Sequence, residues 1–328
     1  MLYFFCVTIN GMNYLITGGA GFIGSHMCTA LIKQGHHVVC IDNLSLGSVQ
    51  NIDHIINNNH FTFVQGDILD KSLFESLFVK STIDCIIHLA ANSDIQAGSE
   101  NVAVDIDKTF LTTVACLSCI KKFNIKQFVF ASSSAVYGDS VQPLSETTNH
   151  YFPVSFYGAA KLAAEHYIHA MLAQVDCKAW VIRFPNVVGD RLTHGVVYDF
   201  IHKLIKDPKE LKILGDGKQK KPYVMVDDLI DAIFLVVNTM QKAFNVVNVG
   251  VQSATTVTSI ADIVTQQMNL SNVSYAYTGG TGGWVGDVAQ FSYDLSLIKS
   301  LGWQARYTSD QAITESVRRQ LTHMKKIK

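Results

Sequence analysis

The sequence predicts an α/β protein built on a doubly wound parallel sheet, with a smaller, interleaved C-terminal domain. Short apolar runs alternate with helical patterns through the first half of the chain, which is typical of parallel βαβ units. Several runs, such as Cys85-Ile86-Ile87, are apolar on consecutive residues, as expected for strands that helices cover on both faces. A chain of 328 residues buries a large core without disulfide bridges or a structural metal.

Six apolar runs in the first half are predicted strands. They span residues 14–17, 37–42, 61–65, 85–89, 128–132 and 180–183, and two of the helical patterns span 102–122 and 156–173. From about residue 184 the pattern loosens into loops that contain glycine, and a strand and helix pattern returns at 224–233. We therefore expect one domain from residues 1–183 with about 223–250, and a second domain from residues 184–222 with 251–328.

Composition excludes several classes of protein. With 26 basic and 27 acidic residues, the formal net charge is -1, so the chain has no positive field with which to bind nucleic acid. A hydrophobic fraction of 48% is typical of a globular protein and not of a disordered one. The apolar residues 2–9 follow no basic residue and are too few to span a membrane, so we expect no signal peptide, anchor or membrane partner. Met12 is an alternative start, which would make residues 1–11 an extension.

Seven cysteines are scattered along the chain, which is typical of reduced thiols in a cytoplasmic protein. Cys116 and Cys119 form a C-x-x-C motif, but they lie within the helical pattern 102–122. We predict that both are buried thiols on one helix face. The 12 histidines lack the spacing of metal ligands, and no metal site is predicted.

A glycine turn follows the first predicted strand, with Gly18, Gly21 and Gly24 at intervals of three residues and an amphipathic helix after them. This arrangement places backbone N–H groups and the positive end of a helix dipole against a pyrophosphate. Asp42 ends the second predicted strand, where a carboxylate accepts hydrogen bonds from ribose hydroxyls and repels the additional phosphate of NADP. These residues predict NAD as the cofactor. The alternative for Asp42 is an ordinary capping carboxylate.

Tyr157 and Lys161 lie four residues apart at the start of the helix 156–173, so both side chains project from one face. A free phenol has a pKa of about 10, which an ammonium and a cationic nicotinamide would lower towards neutrality. Tyr157 is therefore a candidate proton shuttle. Such pairs are common on helix surfaces, but three serines at 132–134 end the fifth predicted strand, and hydroxyls at that edge of a sheet face the ligand crevice.

Further motifs follow the strands in a fixed order. They are Gly66-Asp67-Ile68, His88-Leu89-Ala90-Ala91, Arg183-Phe184-Pro185-Asn186 and Val226-Asp227-Asp228. Together with the glycine turn and the serine, tyrosine and lysine residues, they resemble the motifs of the extended short-chain dehydrogenases. The similarity is to their NAD-dependent nucleotide-sugar epimerases and dehydratases, above all the UDP-glucose 4-epimerase branch, over about residues 12–303. The resemblance implies a Rossmann sheet, bound NAD and a nucleotide-sugar substrate.

The resemblance also implies residue roles. Tyr157 would exchange a proton with a sugar hydroxyl, Lys161 would bind the nicotinamide ribose, and Ser133 would hydrogen-bond the same sugar oxygen. Asn186 would contact the substrate diphosphate. The implied cofactor-binding residues are Gly18, Gly21, Phe22, Ile23, Gly24, Asp42, Asn43, Asp67, Ile68, Leu89, Ala90, Ala91, Tyr157, Lys161 and Pro185.

The implied reaction is epimerisation at C4 of a nucleotide-diphosphate sugar through a transient 4-keto intermediate. Members that eliminate water or carbon dioxide carry acidic residues after the serine position, where this chain has Ser134 and Ala135. This favours simple epimerisation over the alternative of a 4,6-dehydratase or decarboxylase. A non-catalytic NAD-binding regulator on the same fold is a third hypothesis, although it has no need of Ser133, Tyr157 and Lys161.

The substrate side departs from the family pattern. Lys221 replaces the usual arginine and offers a point charge in place of a bidentate fork. Residues 282–284, Gly-Gly-Trp, stand where a basic residue is usual, Thr109 stands at a usual asparagine, and Pro185 at a usual aromatic residue or alanine. Diphosphate binding is therefore predicted to depend on Lys221, Arg191, Lys218 or His194.

The resemblance finally implies a homodimer. In it, the helices 102–122 and 156–173 would pack side by side and pair with their copies as a four-helix bundle.

Overall fold

A parallel sheet forms the centre of the structure, a computed structural model that describes residues 11–140, 142–148, 151–280, 283 and 286–327. In chain order, the strands of these residues are β1 (Asn13–Thr17), β2 (His37–Asp42), β3 (Phe61–Gln65), β4 (Cys85–His88), β5 (Gln127–Ser133), β6 (Lys178–Phe184), β7 (Asn186–Val188), β8 (Glu210–Ile213), β9 (Lys220–Lys221), β10 (Tyr223–Met225), β11 (Phe244–Asn248), β12 (Thr255–Thr256) and β13 (Ser274–Tyr277).

Helices connect these strands. They are α1 (Phe22–Lys33), α2 (Lys71–Lys80), α3 (Ile95–Glu100), α4 (Ala103–Asp105), α5 (Thr112–Phe123), α6 (Phe156–Leu172), α7 (Val196–Lys206), α8 (Val226–Thr239), α9 (Val257–Gln267), α10 (Ser296–Ser300) and α11 (Ser309–Ile327). Short 3-10 turns lie at Val49–Asn51, Asp53–Ile55 and Ser134–Tyr137, and a π-helical segment lies at Ile106–Leu111.

The central sheet has seven strands in the order β11-β6-β5-β4-β1-β2-β3, and each neighbouring pair is parallel. From β1 the chain proceeds outwards to β3, and it then returns to the other side of β1 to add β4, β5 and β6. This reversal opens a crevice at the carboxyl ends of β1 and β4, which is where ligands of such sheets bind. The predicted fold class is confirmed.

The two faces of the sheet carry separate hydrophobic clusters, because successive strand residues point to opposite sides. Ile16 packs with buried residues of α1 and α8 on one face. Its neighbour Leu15 packs with buried residues of α2, α5 and α6 on the other face. Both side chains are fully buried, which explains why the strands are apolar on consecutive residues.

A third hydrophobic cluster is formed by the part of the chain outside the sheet. It joins buried residues of α7, β8, α9 and α11 to Val188, Tyr223 and Met225. The pairs β10–β7 and β13–β8 are parallel, and β12–β9 is antiparallel. The chain leaves the sheet after β6 and returns to it with β11, which pairs with β6.

The predicted helix 102–122 differs in detail. It begins at Ala103, contains the π-helical segment Ile106–Leu111 and ends at Phe123. The segment packs against α6, and Phe110 contacts Tyr167 edge-to-face at 4.8 Å between ring centroids. The two helices therefore lie side by side, as predicted. A π segment widens a helix by one residue per turn and is frequent at functional sites.

The described cysteines are free thiols, and Cys116 and Cys119 are buried, as predicted. Burial raises the pKa of the Cys116 thiol well above its usual range and raises the pKa of Cys119 to about 12. Both thiols are therefore unreactive at neutral pH. Cys6 lies outside the described residues, as does the rest of the apolar stretch 2–9. No described helix is both long and apolar enough to cross a membrane.

Candidate functional site

A cleft of about 760 Å³ opens at the carboxyl edge of the sheet and extends to α7 and the loop before Phe291. Its lining includes every residue that was predicted to bind the cofactor or to take part in catalysis. On the cofactor side these are Gly18, Gly21, Phe22, Ile23, Gly24, Asp42, Asn43, Asp67, Ile68, Leu89, Ala90, Ala91 and Pro185, and beyond them lie Ser133, Tyr157 and Lys161. The fold brings together residues that are up to 167 positions apart in the chain.

The glycine turn leaves no room for side chains. Gly18 has a φ of +69°, and a Cβ there would lie 2.8 Å from the backbone N of Ala90. A Cβ on Gly24 would lie 2.2 Å from the carbonyl oxygen of Gly18. Gly21 is the N-cap of α1 and supplies no side-chain cap, so the first-turn N–H groups of α1 have no side chain in front of them. The turn therefore fits an anion such as a pyrophosphate.

Asp42 lines the cleft at the end of β2, where its carboxylate accepts hydrogen bonds from the backbone N–H groups of Ala20 at 3.0 Å and Leu44 at 2.8 Å. Burial raises the pKa of Asp42, while backbone hydrogen bonds lower it. The next strand contributes Asp67, which accepts from Asn43 Nδ2 at 2.9 Å. Asp42 thus joins the glycine turn to the end of β2 and also holds the loop that follows β2.

Three side chains that were predicted to be catalytic line the same cleft. Ser133 ends β5 and accepts a hydrogen bond from Ala135 N–H at 3.2 Å, and its hydroxyl lowers the pKa of Tyr157. Lys161 follows Tyr157 by one helical turn and is only 2% exposed. Its Nζ donates to the carbonyl oxygen of Ala131 at 2.7 Å and lies 5.8 Å from the centre of the Tyr157 ring. The hydroxyls of Ser133 and Tyr157 face the cleft, and the amine of Lys161 lies behind them.

The charge state of this group differs from the expectation. Burial raises the pKa of Tyr157 to about 12, the Ser133 hydroxyl lowers it, and the charge of Asp105 raises it. Burial also lowers the pKa of Lys161 to about 7, against the charges of Asp105 and Glu165. Without the positive charge of a bound nicotinamide, burial therefore dominates, and the pKa of Tyr157 lies above its usual value and not below it.

On the substrate side, Asn186, Lys221 and His194 line the cleft as predicted. Lys221 forms an ion pair with Asp287, whose side chain is 3% exposed. Asp287 Oδ2 also accepts from the backbone N–H of Gly283 at 3.0 Å. A lysine that already faces a buried carboxylate offers less charge to a diphosphate than the sequence pattern suggested. Gly282 and Trp284 lie outside the described residues.

Arg191 requires a correction, because it does not line the cleft. Its guanidinium lies against α1, where Nη1 is 3.4 Å from both Ser25 Oγ and Thr29 Oγ1, and Nη2 is 3.4 Å from His54 Nε2. The Arg191 side chain is 14% exposed, and its Nε lies 3.7 Å from Asp190 Oδ2. Lys218 is exposed and likewise absent from the cleft lining. The geometry therefore supports neither cation as a diphosphate ligand.

Several cleft residues were not anticipated, namely Asn92, Asp94, Lys108 and Lys203. Asn92 directly follows the motif that ends in Ala91, so its place after β4 was a usable signal. Lys108 reaches the cleft from the π-helical segment, which no simple helical pattern reveals. Among the described residues, no group of three or more His, Cys, Asp or Glu side chains could hold a metal ion.

The fold and the site define a class of protein: a dinucleotide-dependent enzyme of the short-chain dehydrogenase type, with a serine, a tyrosine and a lysine at the strand edge. Over residues 14–250 the chain matches the family described as the NAD dependent epimerase/dehydratase family. The chain belongs to this family and is an enzyme of this type, and NAD is its cofactor.

Relatives and solved structures agree with this family assignment. The chain is 33% identical over 310 residues to a protein of Methanocaldococcus jannaschii whose name as a UDP-glucose 4-epimerase is provisional, covering 92% of this chain and 96% of that one. A UDP-glucose 4-epimerase of Thermotoga maritima, solved with UDP-glucose, has a TM-score of 0.84 at 30% identity, covering 96% and 99%. A dTDP-D-glucose 4,6-dehydratase of Dictyostelium discoideum is 29% identical over 251 residues, covering 72% and 57%.

The residues present fit NAD. The crowded glycine turn admits a close backbone approach, the helix N-terminus lacks a side-chain cap, and Asp42 lies at the expected strand end. Lys161 and Tyr157 line the same cleft.

Proposed function

We propose that this enzyme epimerises C4 of a nucleotide-diphosphate sugar. The observation that carries the proposal is that Ser133, Tyr157 and Lys161 line the same cleft, with Lys161 Nζ 5.8 Å from the centre of the Tyr157 ring. The two following residues supply no acid. Ser134 has a neutral hydroxyl, and Ala135 has no polar side chain. Elimination of water from the sugar requires additional proton transfers, so this site favours epimerisation over dehydration.

In this mechanism, Tyr157 takes the proton of the C4 hydroxyl as that carbon is oxidised and returns it to the keto oxygen afterwards. Ser133 holds the same oxygen, so the reacting bond stays within reach of Tyr157. NAD, when bound, supplies the hydride acceptor and donor for this carbon. Lys161 favours the phenolate of Tyr157 whenever it carries its proton. Turning of the keto sugar between the two steps exposes its opposite face.

Asn186 and Lys221 are the proposed diphosphate ligands, with His194 close by. Asn186 begins β7, and its register partner Tyr223 lies two residues after Lys221, so a short strand pair positions both side chains.

We also propose the two-domain division given above, with residues 1–183 and about 223–250 on the cofactor side and residues 184–222 and 251–328 on the substrate side.

We infer a homodimer through the surface formed by α4, the π-helical segment, α5 and α6. Large apolar side chains are exposed there, namely Val102, Ile106, Leu111 and Tyr167. Pairing of two copies as a four-helix bundle would bury them. Light scattering at micromolar concentration should give twice the chain mass, and a monomer would contradict this proposal.

Free, buried cysteines support a reducing compartment, and we infer a cytoplasmic location.

The reaction is tested by incubating the purified protein with NAD and with UDP-glucose, UDP-galactose, UDP-glucuronate and dTDP-glucose, one at a time. Product spectra by NMR should show interconversion of C4 epimers for at least one of them. A 4-keto-6-deoxy product from dTDP-glucose would identify a dehydratase instead. Tight NAD binding without turnover of any sugar would favour the non-catalytic regulator.

A further inference from the structure

A carboxylate is buried beneath the catalytic group. Asp105 ends α4, directly before the π-helical segment, and is 1% exposed. Its Oδ1 accepts hydrogen bonds from Asn92 Nδ2 at 3.1 Å and from Thr109 Oγ1 at 3.3 Å. Its Oδ2 is buried and has no hydrogen-bond partner among the described residues. A Cβ on Gly98 would lie 2.0 Å from this oxygen, so the chain closes tightly over it.

A buried carboxylate with an unpaired oxygen is costly and persists only where a positive charge compensates it. Burial raises the pKa of Asp105, and the charge of Lys161, whose helix α6 packs against α3, α4 and the π-helical segment, lowers it. Asp105 and Lys161 each stabilise the charged form of the other. The protein therefore places an acid and a base under the cleft as an electrostatic pair.

Other ionisable groups surround this pair, and none can replace Asp105 as its negative member. Glu165 also acts on Lys161, but it forms an ion pair with Arg183, with Nη2 to Oε2 at 2.5 Å and Nε to Oε1 at 3.0 Å. Burial lowers the pKa of His88 to about 3, so this imidazole is neutral. The remaining groups that act on the pair are Tyr157 and Asp94.

We propose that Asp105 is a positioning residue for the proposed epimerisation, on which this role rests: its carboxylate favours the ammonium form of Lys161 and fixes Asn92 at the floor of the cleft. Asn92 lines the cleft, and its amide is held by Asp105. Its backbone N–H also donates to Thr109 Oγ1 at 3.1 Å. Thr109, which replaces a usual asparagine, thus serves as the link between the floor and the buried acid.

The expected pH dependence of kcat follows from the charge of Lys161. Removing the carboxylate makes the ammonium less favourable, so the pKa of Lys161 falls. Lys161 then loses its proton at a lower pH, and the alkaline limb of kcat moves to lower pH by about 1. At pH 7.5 kcat should fall by about fivefold to tenfold in Asp105→Asn, and the loss should shrink towards pH 6. A purely structural defect would reduce kcat equally at both pH values.

The test uses the full chain with NAD. Protein labelled with ¹⁵N-lysine is titrated by NMR, and the Lys161 resonance is assigned by its absence from Lys161→Met. In Asp105→Asn the Lys161 midpoint should lie about 1 pH unit below that of the parent protein. Asp107→Asn is the matched control, because it removes one negative charge from an exposed position in the same segment. Its Lys161 midpoint should not move.

Asp105→Ser serves as a second neutral variant, and thermal unfolding identifies any variant that fails to fold. An unchanged Lys161 midpoint in either folded variant would overturn the proposal. This outcome is distinct from failure of the proposed function, because the titration does not depend on turnover. If no nucleotide sugar is epimerised but the Lys161 midpoint still falls in Asp105→Asn, the proposed epimerisation is wrong. The electrostatic coupling between Asp105 and Lys161 is then still supported.

Discussion

On the cofactor side of the cleft, the turn of residues 18–24 presents backbone groups, whereas on the substrate side the charges belong to side chains that already contact one another. Gly18 and Gly24 are required because no Cβ fits beside them. Lys221, by contrast, pairs with Asp287, and Arg191 lies against α1. A backbone site is built by local geometry, but a side-chain site depends on partners that come from distant parts of the chain.

The largest expected effect tests the backbone side. Gly18→Ala should weaken NAD binding by about a thousandfold, because its Cβ would meet the backbone of Ala90 at 2.8–2.9 Å. Gly35→Ala is a matched control, since Gly35 also has a positive φ, +83°, but has nothing within 4 Å of its Cβ position. The control should lose some stability and keep NAD. Calorimetric titration with NAD measures the affinity of both variants. Equal NAD affinity in the two would contradict the steric explanation.

Tyr157→Phe should lower turnover by at least about a hundredfold and leave NAD bound, because it removes the proton shuttle and not the glycine turn. Tyr277→Phe is the control, since its hydroxyl contacts Thr258 outside the cleft. Initial rates with the substrate found in the sugar panel provide the measurement. Near-normal turnover of Tyr157→Phe would end the proposed mechanism.

Lys221→Met should weaken nucleotide-sugar binding by about tenfold to a hundredfold, the range for a charge-assisted hydrogen bond, with NAD affinity unchanged. It should also destabilise the fold by roughly 3 kcal/mol, because Asp287 is left buried without its partner. The double variant Lys221→Met with Asp287→Asn separates these effects. Stability should recover in it, whereas sugar affinity should not. Recovery of both would mean that Lys221 serves only Asp287.

The smallest effect is expected for Arg191→Ala. Its guanidinium contacts α1 and His54, so nucleotide-sugar affinity should change by no more than about twofold, while stability falls by about 1 kcal/mol. Calorimetry and thermal unfolding measure the two quantities. A tenfold loss of sugar affinity would show that Arg191 turns into the cleft when substrate binds, and it would weaken the contrast between the two sides.

Much of the cofactor side could be predicted from the sequence, because glycines, strand ends and helix starts are local signals. The six predicted strands lie within one or two residues of those observed, and the predicted cofactor residues all line the cleft. The roles assigned to individual residues remain predictions. Asp105 was not anticipated, because its importance arises from burial beside α6. The pairing of Lys221 with Asp287 joins residues 66 positions apart, which no local pattern indicates.

The return of the chain to the sheet has a consequence for biosynthesis. β6 pairs with β11, but about sixty residues, including the substrate-side segment 184–222, are made between the two strands. During synthesis, and in any fragment that ends near residue 184, the buried run Ala179–Ile182 forms an open sheet edge without a neighbour. Such an edge readily pairs with another chain. A cofactor half that lacks β11 should therefore aggregate. Once β11 is made, it pairs with β6 and covers this edge.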